Sequence, residues 1–285
     1  MWVDLLSAAL RALSLVALFQ AAGGSLVFNL FRRHLSASES VLRRLSIAAA
    51  AIGIALTIGQ YLLEAARMAG EFAGVFDLRL QKFAAHSTLA VAMTWRVAGL
   101  LLIGISSGMS GRLSTVLSYL GVFVALASFT RTGHTTVTDL HWLLGLLLLL
   151  HLLLVAFWFG VLCPLFIQAP RNPAATRALA EDFSRWALWL VPLIPLLGLL
   201  LAIFLMDSAA AWTSPYGLLL VGKLAGFALL MMIAARNKLR LVPALSASNP
   251  PGAHRLRLAV GAEYALIVVV LTITSVLTTY YSPTD

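Results

Sequence analysis

Five side chains in this chain have the types and spacings of soft-metal or haem ligands: His86, Met93, His134, His141 and His151. His141 follows His134 by seven residues. If the helix already includes Gly133, the two imidazoles lie about 20° apart on one face, with His141 roughly 10 Å deeper. Met93 repeats that interval after His86, and a thioether beside imidazoles is a ligand mixture that suits copper, particularly Cu(I). His151 stands about 15 Å further along than His141 and some 80° around the axis. Cys163 lies nearer the other end of the same stretch, so a descending His, His, His, Cys series would suit a metal handed along, although the angles do not form one straight stripe. Each residue also has a plainer use. His86 and His134 suit helix mouths as caps or solvated groups, His151 can bond a neighbouring helix's carbonyl or hydroxyl, and Met93 and Cys163 can simply pack. An imidazole within a bilayer, as expected for His141, points more strongly to function.

The elements that must position these groups are helices in a membrane. Between Leu140 and Ile167 the chain runs for 28 residues without Asp, Glu, Lys or Arg, and about 20 apolar residues suffice to cross ~30 Å of hydrocarbon. Hydrophobic residues make up 61% of the sequence and charged ones 11%, with a mean hydropathy of +0.94, far outside the soluble range. No period-two alternation accompanies the apolar runs, which favours an all-α polytopic bundle over a barrel. Eight transmembrane helices are expected, at roughly 5–31, 41–66, 84–107, 113–129, 137–168, 183–206, 215–236 and 257–280, in a single domain spanning 1–285. Breakers mark several joints: Gly108 and Gly111, Arg171-Asn172-Pro173, Ser214-Pro215 and Asn249-Pro250-Pro251-Gly252.

Alternate loops differ in charge. Loops one, three, five and seven hold 13 Lys and Arg against 4 in loops two, four and six, which predicts both termini on the non-cytoplasmic side. His86 and the His134–His141 pair then face outward, in the outer half of the third and fifth helices. The net charge of +9 is read as a topology signal and not as a nucleic-acid surface. The first span is too long for a secretion signal's apolar core and lacks a basic leader, so it is kept as a helix. One cysteine excludes an intramolecular disulfide. Neither a nucleophile motif, a phosphate loop, a zinc-protease signature nor a dinucleotide fingerprint is present, so no enzyme activity is expected. Three charges interrupt apolar runs. Lys223 and Glu263, on consecutive helices, are expected within reach of an ion pair or a water bridge, as a structural clamp or a proton-coupling pair. Arg96 needs a partner among Glu64, Asp139 and Glu263.

Gly133-His134, Leu140-His141 and the run from His151 through Trp158 to Gly160 resemble the core helix of the CopD (PcoD) family of bacterial copper-resistance membrane proteins. Asp182-Phe183-Ser184-Arg185, Tyr216-Gly217 with Lys223, Asn237 through Pro243, and Glu263 agree in order, so the likeness covers about residues 130–282. The first four helices match only in number and hydrophobicity. The resemblance implies an eight-helix inner-membrane protein of copper uptake, working beside a periplasmic CopC-type copper-binding partner. It carries over to His134, His141 and His151, with Lys223 and Glu263 as intramembrane polar positions, while His86 and Met93 rest on helix geometry alone. Neither a Met-rich tract nor a Cys-x-x-Cys motif is present. Two further functions fit the same residues: a membrane cytochrome b with His86 and His134 or His141 on one haem b, and a non-catalytic membrane subunit whose buried polar groups hold the bundle together.

Overall fold

The computed structural model describes residues 2–133, 139–206, 212–245 and 250–281, and among them every regular element is helical. The helices are α1 (Trp2–Leu30), α2 (Glu39–Ala69), α3 (Thr88–Gly108), α4 (Arg112–Ala127), α5 (His141–Gln168), α6 (Pro173–Leu190), α7 (Leu193–Leu205), α8 (Pro215–Arg236) and α9 (Pro250–Tyr280). Short helices at Arg32–Leu35 and Leu78–Ala85 precede α2 and α3. Among the described residues, eight helical segments are long and apolar enough to cross a membrane, α6 and α7 together making the sixth.

Local chemistry explains the starts and stops. Asn172 accepts from the Ala175 N–H at 3.0 Å with Pro173 next, and Ser214 caps α8 with Pro215 next, a serviceable opening because proline lacks the N–H that a first turn leaves unpaired. The sixth span therefore begins at Pro173, ten residues before the expected start, and breaks around Val191-Pro192. Gly70 ends α2 at φ 74, a left-handed conformation that costs glycine least.

α1 is the axis of the bundle, packing on α2, α5 and α9 and touching α3 and α4. Small residues make this possible. At Gly23 and Gly160 the backbones of α1 and α5 meet so closely that a Cβ on either would enter the other's main chain, and Gly99 meets Ala125 in the same way where α3 crosses α4. In lipid, where apolar contact alone does not distinguish neighbours, such close backbone approach is a main source of helix association. A serine-rich seam adds hydrogen bonds: Ser25 and Ser118 hydroxyls lie 2.6 Å apart, and Asn29 Nδ2 donates to Ser118 at 2.7 Å.

Candidate metal site

α3 and α5 run the same way but do not form a main packing pair. α3 lies against α2 and α4, α5 against α1, α7 and α9, and the turn Ser128–Arg131 stands between them. That turn touches both helices: Arg131 stacks on the Trp95 ring at 4.3 Å, while Thr130 is the neighbour of Gly145. Both contacts lie in the N-terminal halves of α3 and α5, with Met93 in the second turn of α3 and His141 opening α5. Met93 is buried and His141 is exposed at the first residue of α5.

Two expected helical stripes change. His86 sits exposed in the turn after Leu78–Ala85, and α3 starts afresh at Thr88 because the Ser87 hydroxyl accepts from the Ala90 N–H at 3.2 Å. The seven-residue repeat from His86 to Met93 is therefore interrupted by a cap, and the two residues do not share one continuous helical face. α5 begins at His141, and His134 lies outside the described residues, so the stripe on α5 starts at His141. Among the described residues no group of three or more His, Cys, Asp and Glu side chains gathers in a form that could hold a metal ion.

His151 is half-buried in mid-helix, and its Nδ1 lies 2.9 Å from the Ile194 carbonyl of α7. A carbonyl only accepts, so Nδ1 carries the proton and Nε2 is left with its lone pair, the arrangement in which a neutral imidazole ligates metals. Gly198 leaves room for the ring: a Cβ there would come 3.3 Å from His151 Cε1.

The other intramembrane charges take partners that sequence order did not indicate. Glu263 Oε1 accepts from Asn237 Nδ2 at 2.5 Å. Among the described residues no Lys223–Glu263 ion pair forms. The clamp joins α9 to the π-turn Asn237–Leu241 that ends α8, and the buried Asn237 Oδ1 has no hydrogen-bond partner among the described residues. Arg96 pairs with none of the three expected carboxylates. It donates to Ser128 Oγ at 3.3 Å and stacks over Phe129 at 4.1 Å, so an aromatic face and a hydroxyl replace an acid.

One cluster escaped the sequence reading. Asp182, buried on α6, is approached at 2.6 Å by His34 Nε2 and bonded by Arg33 and Arg185, while Gln168 Nε2 donates to the His34 carbonyl at 3.1 Å. His34 and Asp182 are 148 positions apart. Asp182 and Arg185 are legible as one sequence block, but nothing in the sequence joins them to Arg33 and His34.

The description "Copper resistance protein D-like, N-terminal domain" matches residues 2–140, and "Copper resistance protein D" matches residues 177–277. The first four spans thus carry family signal beyond mere hydrophobicity, whereas α5, from which the resemblance was chiefly drawn, falls between the two stretches. Neither the curated proteins nor the solved structures include a match.

Proposed function

Because this chain belongs to the copper resistance protein D family and has eight helices able to cross a membrane, we propose that it carries copper ions across the bacterial inner membrane into the cytoplasm, as a transporter and not as an enzyme. The observation that carries the reading is that Met93 and His141 both lie within the first two turns of helices that run the same way. A buried thioether lies on one side and an exposed imidazole on the other, both near the helix N-termini. His86 and His134 complete the outer entrance in this reading, and His151, with Nε2 free of the Ile194 bond, is the next ligand inward.

The chemistry is stepwise ligand exchange. Imidazole and thioether suit Cu(I) without adding negative charge to the membrane. The guanidiniums of Arg96 and Arg131 stand near the level of Met93, so coordination bonds, and not a favourable field, must hold the ion there. With the entrance outside, the membrane potential drives a cation inward by about 2.3 kcal/mol per charge per 100 mV. A periplasmic CopC-type protein is the expected donor.

The test is copper uptake into proteoliposomes under chelator control. His141→Ala is expected to lower the uptake rate roughly tenfold or more. Unchanged uptake would remove the outer site. An absorption spectrum of the same preparation separates the cytochrome alternative, because a Soret band would place haem, and not copper, on these imidazoles.

A further inference from the structure

Away from these ligands, two helices change from apolar to charged at the same place. The apolar run of α1 ends at Leu30, and Arg32 and Arg33 follow. α6 runs in the opposite sense, from Arg177, Glu181, Asp182 and Arg185 into Trp186, Leu188 and Trp189. The two boundaries meet around a cavity of about 430 Å³ whose wall includes Leu30, Arg33, Asp182, Arg185, Trp186 and Trp189. Its charge is unbalanced. Arg33 and Arg185 both bond Asp182, so two guanidiniums share one carboxylate, and His34 competes for the same oxygen that Arg33 uses. The acid is buried at 8% side-chain exposure, while the arginines remain 73% and 75% exposed. Each guanidinium has five N–H donors: Arg33 gives one to Asp182 and its Nε to His34 Nε2 at 3.0 Å, and Arg185 gives one to Asp182.

We propose that this cavity binds the headgroup of an anionic phospholipid, its phosphate held between Arg33 and Arg185 and its acyl chains lying along Leu30, Trp186 and Trp189. Guanidinium matches phosphate in charge and in hydrogen-bond geometry. Exposed indoles beside them are the mark of the membrane–water boundary, where a headgroup sits. Basic pockets between membrane helices bind anionic lipids on these grounds, and the volume lies within the range of small-ligand pockets. Asp182 bonds one arginine from α1's end and one from α6, and its single negative charge offsets only one of the two positive ones.

The test uses the full chain in nanodiscs, with lipid retention read by native mass spectrometry. Phosphatidylglycerol is expected to be retained over phosphatidylcholine, and the double variant Arg33→Gln, Arg185→Gln to weaken that retention roughly thirtyfold. Asp182→Asn breaks the internal ion pairs but leaves both guanidiniums, so it should keep the phosphatidylglycerol. A merely structural cluster would lose it in both variants. Equal retention of the two lipids by the unaltered protein overturns the proposal, as does displacement of phosphatidylglycerol by millimolar inorganic phosphate, which would mark a free-anion site. If the double variant does not fold, brominated lipids decide: brominated phosphatidylglycerol should quench the fluorescence that Trp186→Phe and Trp189→Phe remove, and equal quenching by brominated phosphatidylcholine overturns the site.

Discussion

His151 shows how one hydrogen bond sets the chemistry a residue can do. Its spacing within an apolar run was legible, as were both of its expected uses, but the Ile194 carbonyl that selects the tautomer comes from a helix 43 positions away. The bond to a neighbouring carbonyl and a ligand role are compatible, because the first leaves Nε2 for the second. This separates structure from transport experimentally. His151→Asn can place an amide N–H where Nδ1 donates to Ile194, but it has no counterpart to Nε2. Its thermal midpoint should stay close to that of the unaltered protein while copper uptake falls about tenfold, and normal uptake in this variant would take His151 out of the path. Arg96 and Glu263 were recognisable as costly intramembrane charges. Their partners, Ser128 with Phe129 for Arg96 and Asn237 for Glu263, were not. Opposite charge is the only pairing rule visible in a sequence, whereas a folded bundle can also offer amides, hydroxyls and ring faces.

At the scale of elements, helix existence followed from apolar run length, and several ends followed from caps. The outcome differed where a local cap outweighed hydrophobicity: Ser87 splits the expected third helix, and Asn172-Pro173 starts the sixth early. How helices meet depends on small residues whose significance appears only at a crossing. Gly160 faces the main chain at Gly23, which cannot withdraw as a flexible side chain can, whereas nothing lies within 4 Å of a Cβ added at Gly222. Gly160→Val is therefore expected to lower stability by about 3 kcal/mol or more, or to prevent assembly. Gly222→Ala should be neutral or stabilising by up to ~1 kcal/mol from helix propensity. Thermal unfolding of the detergent-purified variants checks both, and a stable Gly160→Val protein would contradict the α1–α5 crossing.

For the whole molecule, charge is distributed by end. Arg33, which follows α1, and Asp182 and Arg185 of α6 lie toward the end where the 13 basic residues of the odd-numbered joints gather, so the end expected to face the cytoplasm is also the one suited to anionic lipid. With Cys163→Ala as background, Ala73→Cys, exposed between α2 and α3, should react with a membrane-impermeant maleimide in intact cells. Ser110→Cys, exposed between α3 and α4, should react only after permeabilisation. The reverse pattern would invert the topology and, with it, the proposed direction of copper entry. By itself the sequence determined that this is an eight-span helical membrane protein and which residues are chemically equipped for copper, because run length, charge and side-chain type are properties of the chain read in one dimension. Tertiary structure alone decided that α1 is the axis, that the turn Ser128–Arg131 lies between α3 and α5, that His151 Nδ1 meets the Ile194 carbonyl, and that His34 finds Asp182. Those are relations between segments far apart in the chain, fixed by where backbones can approach closely enough to pack and which buried polar atoms must then be satisfied.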